Sequence, residues 1–284
     1  MTVSHTSEPA SLPREDGLAT TDEAQARLRE QRPAFLEELV DDAGADRLVV
    51  GLDGSVETAL AATFAVDAVG SERVTGLVMP AFLSHEAISR TAETVASALG
   101  IEHCRLQLQP VLAAFQEAVG DSSGPADDVV ATNNALSRLR MTCAYYVANT
   151  TNALVVGTVD RTQYLLGGVT KHGETGADCL LFGDLYHSEV SELAGTVGIP
   201  DELTVETSGS PLYPGQLPIA DFEIAPTTVD RVLRLRFDEG IDHETVVERT
   251  GVEPAILDQL EEYHAETEHK RRQPVTPSLR SHIN

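Results

Sequence analysis

Two spacings of apolar residues alternate along the chain. Short apolar runs such as RLVVGL have the length and residue types of buried strands, whereas the segments between them carry apolar residues at helical spacing. Pro80 ends the second run, and Gly100 ends the helical segment for which Ser84 is the expected N-cap. The pattern predicts strands at 47–52, 73–80, 101–110 and 153–158, one or two helices at 21–45, and further helices at 57–69, 84–100, 111–120 and 128–151.

The order of these elements indicates the fold class. Strands that alternate with helices, and that are apolar on both faces, are typical of a doubly wound parallel α/β sheet with helices on both faces. From residue 186 onward the pattern predicts only helices, interrupted by a Pro/Gly-rich segment at 208–218. We therefore expect a disordered polar tail over 1–22, a single α/β domain over 23–275 and a C-terminal tail over 276–284.

Candidate ligand-binding segments follow three of the predicted strands. In an open parallel sheet, ligands bind beyond the carboxyl ends of the strands. The segments there are the loop 53–58, the chain from Pro80 onward, and GTVDRTQ at 157–163. A polar, Gly-rich stretch at 170–190 is longer than most structural loops, which is typical of a functional segment.

The charge balance excludes several classes of partner. The chain has 45 acidic and 20 basic residues, a formal net charge of −25. Nucleic acids and anionic membranes both require basic surfaces, so neither is expected as a partner. The acids are spread along the whole chain, which indicates a protein of a salt-rich cytoplasm where ions screen self-repulsion. There is no apolar signal segment, and three dispersed cysteines form no disulfide or metal motif, so we expect a cytoplasmic protein.

Only two lysines occur, and they are candidates for specific contacts. A chain that uses Arg for nearly all its cations should keep Lys171 and Lys270 where a compact ammonium group is needed, although chance retention is an alternative. Arg138 and Arg140 lie two residues apart on a predicted helix and cannot share one face, so one of them should project into the interior or a cleft. The loop LDGSVET matches neither a P-loop nor a dinucleotide fingerprint, and taken alone it also fits an ordinary capped turn.

In their order and spacing, several segments resemble one known family. VVGL-x-G, VTGLVMP, RLRMT, NALVVGT, TKHGETGAD, GDLYHSEV, YPGQ and EHKRR together resemble the ammonia-dependent NAD⁺ synthetases, over about residues 25–275. The resemblance implies a homodimer with the adenine-nucleotide alpha hydrolase-like (ATP-pyrophosphatase) fold. It also implies that ATP, with Mg²⁺, adenylates the carboxylate of deamido-NAD and that ammonia then displaces AMP to give NAD⁺.

The resemblance assigns a dinucleotide site that looks well preserved. Arg140, Lys171 and Asp178 fall on the family's deamido-NAD positions, as do the consecutive residues His269 and Lys270. Both lysines of the chain are thereby accounted for. Chance retention of two lysines at two such places is a much weaker explanation.

The corresponding ATP loop departs from the family pattern. The family has Ser-Gly-Gly-x-Asp-Ser where this chain has DGSVET, in which the resemblance assigns Gly54, Ser55 and Thr58 to ATP and Asp53 and Glu57 to catalysis. Glu57 and Thr58 keep the functional groups of the family residues. Asp53 instead places a negative charge beside an anion, and two charges about 4 Å apart repel by roughly 4 kcal/mol at an effective dielectric near 20.

The remaining ATP positions also differ. The family's GTGNKSE is GTVDRTQ here, which keeps Thr158 for ATP but places Gln163 where the family has a magnesium-binding Glu. An amide is a poorer ligand than a carboxylate for a hard cation. His187 replaces an ATP-contacting Lys. The metal site expected from the resemblance is therefore Glu57 together with Gln163, a weakened pair.

These observations leave three hypotheses. The first is a working carbon–nitrogen ligase with an altered ATP site, in which Asp53 or Glu57 binds Mg²⁺ and compensates for Gln163. The second is a non-catalytic relative that binds deamido-NAD or NAD as a sensor or as the dimer partner of an active synthetase. The third, a different enzyme of the ATP-pyrophosphatase superfamily, fits less well because the deamido-NAD positions are kept.

Overall fold

The computed structural model describes residues 12–82, 86–119, 128–199 and 224–275. Ser84, the Pro/Gly-rich segment at 208–218 and the expected tail at 276–284 lie outside these residues. The strands are β1 Arg47–Leu52, β2 Val74–Val78, β3 Glu102–Arg105, β4 Ala153–Gly157 and β5 Cys179–Leu180. The helices are α1 Asp22–Ala43, α2 Val56–Val69, α3 Glu86–Leu99, α4 Gln109–Val119, α5 Val129–Thr151, α6 Arg161–Leu166, α7 His187–Val197, α8 Pro226–Leu233, α9 His243–Thr250, α10 Pro254–Glu266 and α11 Glu268–Arg271.

All five strands are parallel and lie in the order β3-β2-β1-β4-β5, so the predicted doubly wound parallel sheet is confirmed. The pattern predicted β1 with its observed bounds, whereas β2 ends before Pro80 and β3 has only four residues. β5 was not predicted. Its two residues are too few to show a strand period, and they lie within the segment interpreted as a loop.

Helices cover both faces of the sheet. In β1, Leu48 and Val50 point into one apolar cluster with α1, α2, α3 and α7, and Val49 points into a second cluster with α5. This alternation follows from the pleat of a strand, and burial on both faces explains the continuous apolar run in the sequence. Helices α6 and α8 to α10 form a third apolar cluster. Within the described residues, no helix is both long and apolar enough to cross a bilayer.

Part of the expected N-terminal tail is folded. Leu18 and Ala19 are buried, and the N–H of Ala19 donates to Glu189 at 2.6 Å. The side chain of Gln25, in α1, donates to the carbonyl of Ala19 at 2.6 Å. The prediction of disorder up to residue 22 is therefore wrong for this part, because Leu18 and Ala19 are buried and the backbone groups of Ala19 are bonded. Residues 1–11 of the expected tail lie outside the described residues.

The carboxylate of Glu189 joins the N-terminal segment to α7. Its second oxygen accepts the N–H of Tyr186 at 2.7 Å, so two buried backbone donors depend on one side chain. We expect Glu189→Ala to lower the free energy of unfolding by about 2–6 kcal/mol, because each of the two unpaired buried N–H groups costs about 1–3 kcal/mol. Urea denaturation in molar KCl measures this, with Glu192→Ala, an exposed position of the same helix, as the control. Equal effects of the two substitutions would contradict the assigned role.

Candidate active site

The loop between β1 and α2 has a fixed backbone shape. Gly54 has a φ of +83°, and a Cβ there would lie 2.9 Å from Cγ2 of Ile88, so the position requires glycine. Ser55 is the N-cap of α2, and its hydroxyl accepts the N–H of Thr58 at 3.3 Å. The loop therefore ends at the N-terminus of a fourteen-residue helix, where unpaired N–H groups and the helix dipole favour an anion.

Asp53 is bonded within this loop. Its Oδ1 accepts the N–H of Ser55 at 3.0 Å and the hydroxyl of Thr58 at 3.0 Å. The carboxylate that the sequence placed beside an anion thus stabilises the turn, as Asx turns do. Asp53 therefore also occupies the N–H of Ser55, which could otherwise bind a phosphate.

A cleft lies at the carboxyl ends of β1, β2 and β4, where the topology places ligands. Nε of Arg140, on α5, donates to the carbonyl of Met79 at 3.2 Å across this cleft. Buried Ser137 Oγ and Glu174 Oε1 accept or donate no hydrogen bond within the described residues. The lining residues are Gly51, Leu52, Asp53, Thr58, Leu77, Val78, Met79, Pro80, Ile88, Ser89, Ser137, Arg140, Met141, Ala144, Val155, Val156, Gly157, Thr158, Gly173 and Glu174.

Three ionisable side chains meet beside the loop. Nδ1 of His187, at the start of α7, lies 3.5 Å from Oε1 of Glu57 and 3.4 Å from Oδ2 of Asp160. Both carboxylates are buried. The neighbouring carboxylates, Asp160 first and then Glu57, raise the pKa of His187 to about 11. Burial raises the pKa of Asp160. Burial also raises the pKa of Glu57, but the hydrogen bond and charge of His187, together with hydrogen bonds from the backbone and Ser55, outweigh it, so this pKa is lowered.

Gln163 is not part of this group. Asp160 and Gln163 form a capping box at the start of α6: Oδ1 of Asp160 accepts the N–H of Gln163 at 2.7 Å, and Oε1 of Gln163 accepts the N–H of Asp160 at 3.3 Å. The structure therefore does not bring together the expected metal pair of Glu57 and Gln163. Sequence reasoning missed Asp160, although a signal was present: the family has Asn and Glu where this chain has Asp160 and Gln163.

A buried carboxylate from α8 positions the two helices that carry this group. Asp230 accepts the hydroxyl of Thr162 at 2.6 Å, the N–H of Ser188 at 2.8 Å and the hydroxyl of Ser188. Thr162 in turn accepts the N–H of His187 at 3.0 Å. The N-termini of α6 and α7 are thereby joined through one side chain that sequence reasoning did not single out.

The predicted deamido-NAD residues are divided between two places. Nζ of Lys171 donates to the carbonyls of His269 at 2.9 Å and Arg272 at 2.6 Å. Nζ of Lys270 donates to the carbonyl of Gly167 at 2.6 Å. These bonds join residues 167–171 to α11 and bring Lys171, His269 and Lys270 together. Lys171, His269 and Lys270 do not line the cleft that contains Arg140.

Asp178 stands between β4 and α5. Its Oδ2 accepts the N–H of Val155 at 2.7 Å, and its Oδ1 accepts the hydroxyl of Tyr145 at 3.0 Å. Tyr145 also donates to the carbonyl of Gly176 at 2.9 Å. Burial, together with the Asp178 carboxylate, raises the pKa of Tyr145 to about 12.

Comparisons with known proteins agree on one family. The sequence profile of the family NAD synthase matches residues 28–274. An NH₃-dependent NAD⁺ synthetase of Methanosarcina acetivorans is 36% identical over 259 residues, which cover 91% of this chain and 98% of that protein. The protein of the same name from Halobacterium salinarum is 31% identical, over 89% and 93% of the two chains.

Two solved structures have the same fold. The NH₃-dependent NAD synthetase of Campylobacter jejuni, in complex with the nitrate ion, superposes with a TM-score of 0.73 at 24% identity and covers 89% of this chain and 99% of its own. The NMN synthetase of Francisella tularensis superposes with a TM-score of 0.74 at 25% identity, over 90% and 99% of the two chains. The adenine-nucleotide alpha hydrolase-type fold is thereby confirmed.

The contact between Tyr145 and Asp178 predicts a loss of stability in alkali. Folding raises the pKa of Tyr145 from about 10 to about 12, so the stabilisation is complete below pH 10 and is lost as the pH rises through about 12. We expect the difference in free energy of unfolding between wild type and Tyr145→Phe, about 1 kcal/mol, to shrink over this range. Urea denaturation measures it, with exposed Tyr146→Phe as the control. A difference that stays constant would contradict the prediction.

Proposed function

The chain belongs to the NAD synthase family, and we propose that it is an ammonia-dependent NAD⁺ synthetase acting on deamido-NAD. A carboxylate oxygen of deamido-NAD attacks the α-phosphorus of ATP and pyrophosphate leaves. The nitrogen of ammonia then attacks the acyl carbon, loses a proton and expels AMP. The observation that carries the proposal is a cleft lined by Asp53 of the loop before α2, by Thr158 and by Arg140.

The loop residues are proposed to hold the phosphates of ATP. Gly54 offers a backbone N–H group at the start of α2, Ser55 offers its own N–H only where phosphate displaces Asp53 from it, and Thr58 and Thr158 line the cleft. Asp53 shapes the loop rather than taking part in the chemistry, because its Oδ1 is already bonded to Ser55 and Thr58. This differs from the catalytic role that the resemblance implied for it.

The family generally uses Mg²⁺ with ATP, and the chain only partly fits such an ion at the expected residues. Glu57 is a buried carboxylate beside the loop and would hold it. Gln163 does not fit, since its side-chain oxygen is engaged in the capping box. When bound, the cation neutralises charge that develops on the departing pyrophosphate.

For the dinucleotide, we propose two regions of contact. Arg140 lies in the cleft and is suited to a phosphate or to the nicotinate carboxylate, since its guanidinium can bind either in a bidentate manner. Asp178, held by Val155 and Tyr145, lies beside β4. The second region consists of Lys171, His269 and Lys270, and we assign it to the end of the substrate that lies far from Arg140.

Two alternatives have specific support. The N–H of Ser55 is bonded to Asp53, and the side-chain oxygen of Gln163 is bonded to the N–H of Asp160, so neither group is open to ATP or its metal ion. An inactive ATP site would leave a dinucleotide-binding protein that acts as a sensor or dimer partner. The similarity to a structure named NMN synthetase supports a mononucleotide as the substrate instead. These alternatives differ in the products they form.

Two further properties belong to the same proposal. The net charge of −25 suits a cytoplasm of high ionic strength, and a Halobacterium salinarum protein is among the relatives.

We also infer a homodimer. On α4, Val111, Phe115 and Val119 recur every four residues and are 40–68% exposed, an apolar stripe suited to a second copy. Light scattering in molar KCl measures the mass.

The proposed reaction predicts two linked products. Purified full-length protein in molar KCl, given deamido-NAD, Mg-ATP and ammonium, should form NAD⁺ and AMP in equal amounts. Nicotinate mononucleotide in place of deamido-NAD should react more slowly by at least a factor of about ten, because contacts to the adenylate half are lost. Faster reaction of the mononucleotide would favour NMN synthesis. No product, with deamido-NAD binding retained, would favour the non-catalytic alternative.

The assignment of Asp53 to loop shape predicts the effect of removing its charge. Asp53→Asn keeps an oxygen that can accept from Ser55 and Thr58, and it removes the repulsion of ATP. We expect the KM for ATP to fall by roughly five- to tenfold with kcat nearly unchanged. Asp67→Asn, on α2 but away from the loop, is the control. A fall in kcat of a hundredfold or more would instead show that the carboxylate is catalytic.

A further inference from the structure

We propose that Glu57, Asp160 and His187 form a divalent-cation site in which Asp160 replaces the carboxylate missing at position 163 and His187 adds a nitrogen ligand. The mixed ligand set favours a first-row transition ion such as Mn²⁺ over Mg²⁺. The inference rests on the proposed function in one respect, namely that the bound ion would contact the phosphates of ATP. Binding of the ion itself is independent of it.

The spacing of the three side chains suits a bound ion. Their ligand atoms lie within 4.8 Å of one another, with 3.4 Å between Nδ1 of His187 and Asp160 and 3.5 Å between Nδ1 and Glu57. These separations are longer than a good charge-assisted hydrogen bond, which is about 2.7–2.9 Å. Ligand atoms about 2.1 Å from an octahedral ion lie roughly 3.0 Å apart when adjacent and roughly 4.2 Å apart when opposite, so the three side chains can share one ion after a small movement.

A second, independent observation points to a ligand. Asp160 is fully buried, and its Oδ2 accepts no hydrogen bond within the described residues, whereas Oδ1 caps α6. The cationic group nearest to this oxygen among the described residues is Nδ1 of His187, at 3.4 Å, which is longer than a charge-assisted hydrogen bond. A buried carboxylate oxygen with so long a contact is only partly compensated, so the geometry assigns that place to a closer cation.

The chemistry of the ligands indicates which ion. Two carboxylates alone would suit Mg²⁺, which binds oxygen almost exclusively. An imidazole nitrogen shifts preference to transition ions and leaves other positions for water or phosphate oxygens. Without an ion, a proton on His187 supplies positive charge at the same place. A bound ion displaces that proton and carries twice its charge.

Metal binding can be measured without nucleotide. Full-length protein is treated with EDTA, transferred to molar KCl and titrated with Mn²⁺, and free Mn²⁺ is followed by electron paramagnetic resonance. We expect one site that binds Mn²⁺ at least tenfold more tightly than Mg²⁺. Pulsed resonance should show coupling of the bound Mn²⁺ to one imidazole nitrogen, and His187→Gln should abolish it.

Asp160→Asn separates binding from folding. An Asn at the N-cap still accepts the N–H of Gln163, so α6 keeps its cap and only the charge at Oδ2 is lost. We expect Mn²⁺ affinity to fall at least tenfold. The matched control is Asp258→Asn in the group His243, Asp258 and Glu261, which has the same composition but in which no residue is buried and Asp258 is exposed. The affinity of this variant should stay within twofold of wild type.

Three results would overturn the inference: no Mn²⁺ binding at millimolar concentration, unchanged affinity in Asp160→Asn, or tighter binding of Mg²⁺ than of Mn²⁺. NAD⁺ formation without such a Mn²⁺ site would overturn the inference and leave the proposed function intact. A Mn²⁺ site with the expected response to Asp160→Asn, in a protein that forms no NAD⁺, would support the inference and contradict the function.

Discussion

Buried carboxylates at helix N-termini are the constraint on which this site depends. Asp160 caps α6, Glu189 accepts the N–H that precedes α7, and Asp230 accepts the N–H of Ser188 within the first turn of α7. N–H groups at the start of a helix stabilise negative charge, so they allow an acidic chain to bury side chains that would otherwise be expelled. The three carboxylates fix where α6 and α7 begin, and so where His187 stands.

Backbone N–H groups at helix N-termini also bind phosphate, so a carboxylate and a phosphate compete for the same donors. At the loop before α2, Asp53 takes the N–H of Ser55, a group that an anion would otherwise use. A cation resolves such a competition, since it attracts both the carboxylates and the phosphates. The altered loop and the group around His187 are therefore parts of one electrostatic problem, and a change in either alters what the other must supply.

Much of the fold followed from local pattern. β1 was predicted from its apolar run because a strand buried on both faces must be apolar throughout, and the long α5 from its extended helical spacing. The two residues of β5 carry no period, and pairing with β4 alone makes them a strand. Leu18 and Ala19 show a related limit, since their burial depends on Glu189, about 170 residues away in the sequence.

Sequence reasoning singled out residues that line the cleft where a single position carries its own signal, as at Arg140, Asp53 and Thr58, and their roles stay predictions. It was missed where a role passed from one position to another. The Asn and the metal-binding Glu that the resemblance gives for the family correspond here to Asp160 and Gln163, and a residue-by-residue comparison registers only the loss at position 163. In the structure, Oδ1 of Asp160 caps the helix, whereas Oδ2 lies 3.4 Å from Nδ1 of His187, where we propose that it binds an ion. Under the proposed metal site both tasks depend on one side chain, so the start of α6 cannot shift without moving the oxygen that faces Glu57 and His187.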